Sequence, residues 1–520
     1  MRVGALSGLI LAGLAACAPQ SEAPGIETAA MPTSGGSCED LAKLSLPNVA
    51  IITAVAAGAG VGALPAPPAG AQPAGPPQLD ISKLPAFCHV AAGLKPSADS
   101  DIRIEVWMPA QEWNGKFLGT GNGGASGSIG YAALADGLRR GYAVAATDTG
   151  HQGGAADYSF ALGHPEKVTD NAWRAVHEMT VTAKALVGAY YTAAPKLSYW
   201  SSCSTGGRQG LKEAQRFPED YDGIVAGAPA YAWPGLQSWS MLLQQAMTDK
   251  TKGLPPAKLP VLKEAAIKAC DAADGIADRI VNEPGKCSFD PAVTQCKSAD
   301  GKDCLTKSEV EAARRLYAGV VNPADPSMNF PGSNPGSETA WGALGAAFNI
   351  GESYFRDVVH GDPKWTAAKF DLAADMALAK KVDAGEMDAS SSDIAAFQAR
   401  GGKLILYHGL TDGLIPSGST VNYYRSLEAK DATGTAANVR MLLMPGMDHC
   451  RGGEGPSSAD FLGSLEQWVE QGKAPEMVTA SGNLPGGTIR TRPLCAYPNV
   501  AKYSGSGSTD EAANFSCAAP

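Results

Sequence analysis

The segment LSYWSSCSTGGRQGLKEAQR, residues 197–216, decides the fold. Residues 197–201 predict a short strand, and residues 206–216 predict a helix that begins directly after it. Ser204 lies in the turn between the two elements, among small residues. Such a turn exposes a serine hydroxyl and points the first N–H groups of the helix at the same place. The motif is SxSxG where the commoner elbow is GxSxG, and a serine-rich helix cap is the competing interpretation.

The alternation of strands and helices continues on both sides of this segment. Further strands are predicted at residues 102–108, 116–119, 142–147, 223–228, 403–407 and 439–444. Helices are predicted at residues 129–140, 170–191 and 457–471, the second of them capped by Asp170. This pattern is typical of an α/β protein with a largely parallel sheet and helices on both faces.

Residues 1–17 indicate an export signal, in which Arg2 precedes an apolar run too short to span a membrane. The run ends in Leu-Ala-Ala-Cys17, which is similar to a bacterial lipobox, and Cys17 would then carry a lipid anchor. Ala18 in place of Asp favours the outer membrane. Cleavage near Ala16 to give a soluble periplasmic or secreted protein is the alternative. Residues 18–80 are predicted to be an N-terminal segment with a Pro/Gly/Ala-rich loop or linker at 56–77.

The charge content excludes one class of partner. Charged residues make up 18% of the chain, and its net charge is −10. The sequence has no basic face of the kind that binds nucleic acid. It also has no Walker or dinucleotide fingerprint, so no organic cofactor is predicted. The predicted partner is a small molecule.

Eleven cysteines are present, and setting Cys17 aside leaves an even number for disulfides in an oxidising compartment. A metal site is not favoured, because no CxxC pair occurs. Sequence alone does not fix the connectivity. Spacing suggests the pairs Cys38–Cys88, Cys203–Cys450, Cys270–Cys287, Cys296–Cys304 and Cys495–Cys517.

The pair Cys203–Cys450 has a special position, because Ser204 follows one cysteine and His449 precedes the other. A disulfide holds its two Cα atoms roughly 4.4 to 6.8 Å apart. If this bridge forms, the hydroxyl and the imidazole are brought into one neighbourhood. An ordinary structural bridge with these neighbours by chance is the alternative.

A serine needs a base and an orienting carboxylate to act as a nucleophile. Asp412 and His449 both follow predicted strands, at the sheet edge where α/β proteins place their sites. The chain order Ser204, Asp412, His449 is that of an α/β-hydrolase. Asp448 is the rival carboxylate, but it is adjacent to His449 in sequence and cannot easily face its Nδ1. We therefore predict an α/β-hydrolase catalytic domain of residues 81–230 and 401–520, with a lid domain, 231–400, inserted in it.

An oxyanion hole requires the N–H of Thr205 and a second N–H from an earlier loop. The glycine-rich run after residue 119 offers Gly124, with Gly123 as the next choice, although such a run is also typical of a flexible turn. His408 and His151 follow predicted strands and are candidates for the substrate pocket. Packing roles are expected for the other histidines, His89, His164, His177 and His360.

Within the insertion, an acidic run predicts a structural calcium site. Ca²⁺ takes about six to eight oxygen ligands, and this run offers three carboxylates around Gly275. The predicted ligands are Asp271, Asp274, Ile276, Asp278 and Ile280, the two isoleucines through their carbonyls. The run is not an EF-hand, because no Glu occupies its twelfth position. A solvated acidic turn without metal is the alternative.

Several motifs together resemble the tannase and feruloyl esterase family. They are CSTGGRQG at 203–210, GGKLILYHGLTD at 401–412, PGMDHCRGG at 445–453, RTRPLCAYP at 490–498, NFSCAAP at 514–520 and the Cys-Asp-x-x-Asp-Gly run. The resemblance implies an α/β-hydrolase core, a calcium-binding lid and hydrolysis of aromatic-acid esters such as gallates or ferulates. It also implies a triad of Ser204, Asp412 and His449 joined by the Cys203–Cys450 bridge.

Two alternatives to this activity remain. The family includes the bacterial hydrolase of mono(2-hydroxyethyl) terephthalate, in which an aromatic residue stands three positions after the triad aspartate; here that position is Ile415, a candidate pocket residue. Terephthalate monoesters or other aryl polyester fragments are the second candidate substrates, and a non-catalytic lipid-anchored binding protein is the third possibility. Lid aromatics are candidates for stacking on an aryl group, although most are expected in the lid core: Trp341, Phe348, Tyr354, Phe355 and Trp365.

Overall fold

A computed structural model describes Met1 and residues 36–59, 80–125, 127–323, 325–343, 348–484 and 486–520. The predicted export signal, Cys17 and most of the Pro/Gly/Ala-rich stretch lie outside these residues. In the part of the chain that the structure describes, no helix is both long and apolar enough to cross a membrane.

A nine-stranded sheet forms the centre of the molecule, with strand order β1-β2-β3-β5-β4-β6-β7-β8-β9. The strands are β1 Val49–Ala57, β2 Phe87–Leu94, β3 Ile102–Pro109, β4 Lys116–Gly119, β5 Ala143–Thr147, β6 Leu197–Cys203, β7 Gly223–Gly227, β8 Lys403–Gly409 and β9 Val439–Met444. The pairs from β5 to β9 are parallel, whereas β1, β2, β3 and β5 pair in antiparallel fashion. The predicted α/β class with a mostly parallel sheet is confirmed.

The α-helices of the described residues are α1 Tyr131–Arg139, α2 Pro165–Thr169, α3 Ala175–Tyr191, α4 Thr205–Arg216, α5 Trp233–Thr248, α6 Leu259–Cys270, α7 Lys307–Ala318, α8 Ile350–Ser353, α9 Leu372–Asp383, α10 Ala395–Ala399, α11 Gly418–Lys430, α12 Ala432–Asn438 and α13 Phe461–Gln471. Two small antiparallel hairpins complete the C-terminal region: β10 Met477–Asn483 with β11 Ile489–Cys495, and β12 Val500–Tyr503 with β13 Phe515–Ala518.

The helices pack around the sheet through three clusters of buried apolar side chains. Side chains of α3, α4 and α11 pack on one face, and those of α1 and α13 pack on the other. The third cluster consists mainly of the insertion, with α5, α7 and α9, and it includes Ala125, Tyr158 and Ile415 from loops that follow strands β4, β5 and β8. The insertion therefore packs against the carboxyl edge of the sheet.

Two predicted details are wrong. Asp170 does not cap a helix, because α2 already begins at Pro165 and a π-helical turn, Asp170–Arg174, joins it to α3. The carboxylate of Asp170 instead accepts hydrogen bonds from Arg174 Nε (2.6 Å) and Ser100 Oγ (3.2 Å). The loop predicted for residues 56–77 does not include Ala56 and Ala57, which belong to β1; residues 60–77 lie outside the described part of the chain.

Candidate active site

Ser204 stands at a strained turn between β6 and α4. Its backbone has φ 65° and ψ −126°, and its N–H donates to Gly227 O at 2.9 Å. A Cβ at position 206 would lie 2.0 Å from Ser202 Oγ, and one at 207 would lie 2.4 Å from Gly227 O. The turn therefore requires both glycines. A positive φ at a non-glycine residue between a strand and a helix is the geometry of a nucleophile elbow.

Three side chains from separate parts of the chain meet at this turn. His449 Nε2 lies 2.9 Å from Ser204 Oγ, and His449 Nδ1 lies 2.7 Å from Asp412 Oδ2. Asp412 follows β8 and His449 follows β9, so the sheet presents all three residues at its carboxyl edge. The imidazole thus bridges a hydroxyl and a carboxylate, as general-base activation of a serine requires.

The rival carboxylate points elsewhere. Asp448 Oδ1 accepts a hydrogen bond from Thr411 Oγ1 at 2.8 Å. Both ring nitrogens of His449 are engaged by Ser204 and Asp412, which leaves no place for Asp448 in the relay.

A network of donors surrounds the buried Asp412. The amides of Leu414 and Ile415 each donate to its Oδ1 at 2.9 Å. His408 Nε2 lies 3.1 Å from its Oδ2 and 2.9 Å from the carbonyl of Ile415, so this nitrogen carries the proton. The other ring nitrogen, Nδ1, lies 2.7 Å from Thr420 Oγ1.

Electrostatics favour an ionised carboxylate beside a basic imidazole. Burial alone would raise the pKa of Asp412, but the charge of His449 and hydrogen bonds from His408 and His449 hold that pKa below its usual range. Burial alone would lower the pKa of His449, whereas the charge of Asp412 and its hydrogen bond raise it overall. In this Asp412–His449 pair, the imidazole of His449 is therefore the group that accepts a proton.

Two loops present backbone N–H groups beside the hydroxyl. The amides of Thr205, Gly123 and Gly124 form no hydrogen bond with another described residue, and all three residues line one cavity with Ser204. Thr205 Oγ1 donates to Gly124 O at 2.9 Å and joins the two loops. Gly124 has φ +59°, and a Cβ there would lie 2.1 Å from Ala155 O, whereas position 123 is open. Of the two candidate positions, only 124 requires glycine.

Two histidines that were candidates for the substrate pocket lie elsewhere in the structure. His408 is fully buried behind Asp412, and His151 is buried with its Nε2 2.7 Å from Ala125 O. Neither lines the cavity. Burial lowers the pKa of His151 to about 4, so its neutral ring stacks on Phe160 and holds the glycine-rich loop through Ala125. Ile415, in contrast, does line the cavity.

All five suggested cysteine pairs are disulfides in the structure. Cys203 and Cys450 have Cα atoms 6.1 Å apart and line the cavity beside Ser204 and His449. The bridge fixes the nucleophile turn to the histidine loop across a separation of 247 residues. Five disulfides are typical of a protein that folds outside the cytosol.

A cavity of about 610 Å³ opens over Ser204, a size typical of small-molecule sites. Helix α5 supplies Trp233, Leu236, Gln237 and Ser240, and the remaining wall is mostly apolar. Phe348 lines this cavity, but the other four aromatic residues considered above are buried in the insertion: Trp341, Tyr354, Phe355 and Trp365. Sequence reasoning missed the α5 residues, although their i, i+3, i+4, i+7 spacing marks one helix face.

The acidic run carries oxygen atoms of the kinds that bind hard cations. Asp274 and Asp278 are partly buried, and burial raises the pKa of each carboxyl. The carbonyls of the buried residues Ile276 and Ile280 accept no hydrogen bond from any described residue. Asp278 also contacts the guanidinium of Arg492. Carboxylates and free carbonyls are the ligands that Ca²⁺ prefers.

The sheet, the elbow and the loops at its carboxyl edge define an α/β-hydrolase. A model of the family described as "Tannase and feruloyl esterase" matches residues 88–518. The chain belongs to this family, and it is a carboxylic ester hydrolase of the feruloyl esterase and tannase type.

Similarity extends over nearly the full length of individual relatives. An uncharacterized esterase of Xanthomonas campestris pv. campestris is 36% identical, covering 93% of this chain and 92% of the relative. The mono(2-hydroxyethyl) terephthalate hydrolase of Piscinibacter sakaiensis is 36% identical, covering 86% and 87%. The crystal structure of feruloyl esterase B from Aspergillus oryzae superimposes with a TM-score of 0.85 at 30% identity, covering 93% of this chain and 99% of that one.

Proposed function

We propose that the enzyme hydrolyses esters of aromatic acids of the hydroxycinnamic or gallic type through a triad of Ser204, His449 and Asp412. The observation that carries this proposal is the His449 imidazole, which lies within hydrogen-bond distance of both Ser204 Oγ and Asp412 beneath a largely apolar cavity.

Acylation begins when His449 Nε2 takes the proton of Ser204 and Oγ forms a bond to the ester carbonyl carbon. The carbonyl π electrons move to oxygen, and the amides of Thr205 and Gly124 stabilise that oxyanion. The carbon–oxygen bond to the alcohol then breaks, and His449 gives its proton to the departing oxygen. Asp412 holds the ring and stabilises its positive charge.

Deacylation repeats these steps with water. His449 removes a proton from water, the hydroxide adds to the acyl carbon, and the same two amides hold the second oxyanion. The bond to Ser204 Oγ breaks, the proton on His449 returns to Oγ, and the free acid leaves.

The walls of the cavity support an aryl acyl group. Trp233 and Phe348 provide aromatic surfaces, and Leu236, Leu414 and Ile415 provide aliphatic ones. Aromatic side chains contribute large apolar contact areas and favour offset or edge-to-face ring contacts. The name of the structural relative, feruloyl esterase B, agrees with this substrate class.

Hydrolysis of terephthalate monoesters is the second candidate. It is favoured by the 36% identity to mono(2-hydroxyethyl) terephthalate hydrolase. A non-catalytic binding protein is not favoured, because the relatives named above are esterases and hydrolases.

We further propose that the acidic run binds a structural Ca²⁺ through Asp271, Asp274, Asp278 and the carbonyls of Ile276 and Ile280. When bound, the ion would neutralise the clustered carboxylates and brace the loop that the Cys270–Cys287 disulfide closes. It takes no part in the proposed chemistry.

The test is a Ser204→Ala variant assayed with methyl ferulate, methyl gallate and mono(2-hydroxyethyl) terephthalate. We expect loss of kcat by at least about 10⁴-fold, because the nucleophile is removed. Ser201→Ala, in strand β6 directly before the turn and outside the cavity wall, is the control for folding and should retain activity. Substantial turnover by Ser204→Ala would refute the triad, and preference of the native enzyme for the terephthalate monoester would establish the second candidate.

A further inference from the structure

Two side chains in the cavity wall carry a buried polar atom without a hydrogen-bond partner among the described residues: Trp233 at its donor Nε1 and Gln237 at its acceptor Oε1. Gln237 is only 2% exposed, and its Oε1 has no hydrogen-bond partner in the part of the chain that the structure describes. It nevertheless lines the same cavity as Ser204 and His449. A buried polar atom without a partner destabilises the free protein. A ligand that donates a hydrogen bond to Gln237 Oε1 would therefore bind more tightly.

The placement of Gln237 follows from the helix that carries it. The amide of Ala230 donates to the carbonyl of Ser204 at 3.2 Å, and α5 begins three residues later at Trp233. Gln237 is one turn beyond Trp233, about 6 Å further along the helix axis. Trp233 and Gln237 lie on the same helix face, with the aromatic ring nearer the start of the helix and the amide beyond it.

The acyl part of an ester has a fixed direction in this site. The departing alcohol oxygen must face His449 Nε2 to receive its proton, so the acyl group extends away from His449. An aromatic ring next to Trp233 would then direct its far edge, where a para substituent stands, toward Gln237.

The charges of the cavity limit what that substituent can be. The ionisable side chains among the described residues of its wall are those of His449 and the solvent-exposed Arg451. Because Arg451 is exposed to solvent, a carboxylate buried beside Gln237 would have no buried cation in the described wall to pair with, and a buried unpaired charge is strongly unfavourable. A phenolic hydroxyl is neutral and can both donate to and accept from a carboxamide.

We propose that Gln237 is a specificity-determining residue that selects aromatic acyl groups bearing a neutral ring hydroxyl. The inference rests on the proposed function and names its substrate class more narrowly. A site built to hydrogen-bond a hydroxyl rejects the analogue that lacks it. Hydroxycinnamates and gallates are therefore expected to be better substrates than unsubstituted or carboxylated aryl esters.

The experiment measures kcat/KM for methyl 4-hydroxycinnamate and methyl cinnamate, which differ by one hydroxyl, and takes their ratio. The native enzyme should favour the hydroxylated ester by about tenfold, and Gln237→Met should bring the ratio close to one. Gln244→Met is the matched control. It removes a buried glutamine from the same helix, outside the cavity wall, whose Nε2 donates to Glu352 at 3.1 Å, and it should keep the native ratio.

Three results would overturn the proposal: a native ratio near one, an unchanged ratio in Gln237→Met, or faster turnover of monoethyl terephthalate than of ethyl 4-hydroxybenzoate. If Gln237→Met does not fold, Gln237→Asn withdraws the amide by one methylene and should lower the ratio in the same direction. Failure of the proposed function is distinguishable, since the native enzyme would then hydrolyse neither cinnamate.

Discussion

At the scale of single residues, the geometry of the candidate active site depends on how the Asp412 carboxylate is held. Two backbone amides donate to its Oδ1, and the rings of His408 and His449 both contact its Oδ2. These donors stabilise the ionised form more than burial destabilises it. The charge that results raises the pKa of His449, and a stronger base takes the serine proton more readily.

The pH dependence of kcat/KM tests this coupling. The raised pKa means that protonated His449 is favoured in the folded enzyme, and only neutral His449 can act as the base. Activity should therefore be lost as pH falls, with an apparent pKa above the usual histidine value of about 6.5. A flat profile of kcat/KM between about pH 5 and 8 would contradict this assignment.

The Asp412→Asn substitution should lower kcat by about 10⁴-fold, because the His449 ring loses its orienting carboxylate.

The catalytic candidates could be predicted from sequence because each follows a strand or occupies a turn with a recognisable pattern. The direction of a side chain at such a position is not encoded locally. His408 stands at the end of β8 like a pocket residue, yet its ring points into the protein, toward Thr420 and Asp412. Gln237 was missed because a glutamine on an apolar helix face gains a meaning only when the cavity beside it is known.

At the scale of elements, the parallel strands were the predictable part. Strands β4 and β9 have the predicted bounds, since each is a short apolar run with clear ends. Strands β1 and β2 were not predicted. β2 is almost fully buried and has no alternating pattern, and β1 merges into a stretch rich in small residues. Their pairing with each other and with β3 is a long-range property.

The Cys203–Cys450 disulfide is predicted to matter for catalysis. In the Cys203→Ala/Cys450→Ala double variant, Ser204 and His449 lose the bridge that joins their loops, so kcat should fall more than KM rises. Stability should also fall, by up to about 5 kcal/mol in the chain-entropy model. The measurements are steady-state kinetics and denaturant unfolding.

The control removes a bridge away from the site. Cys296 and Cys304 close a short loop of the insertion and lie outside the cavity wall, so Cys296→Ala/Cys304→Ala should retain kcat. If both double variants lose kcat equally, the catalytic role of the first bridge is wrong.

At the scale of the whole molecule, the acidic run lies where three parts of the chain meet. Asp278 contacts Arg492 of the C-terminal hairpin. Arg279 forms ion pairs with Glu264 of α6 at 2.7 Å and with Glu454, shortly after His449, at 3.0 Å. Order in this loop is therefore linked to the insertion, the C-terminal region and the segment that follows His449.

Calcium removal should weaken this junction. Because an ion that binds only the folded state adds about 2.7 kcal/mol at roughly 100 times its Kd, chelation with EDTA should lower the melting temperature, and added Ca²⁺ should restore it. Asp274→Asn should reduce both the stability and the response to the chelator, whereas Asp303→Asn, an exposed aspartate elsewhere in the insertion, should behave like the native enzyme. Differential scanning calorimetry with and without EDTA provides the measurement. An unchanged melting temperature after chelation would favour a solvated acidic turn without metal.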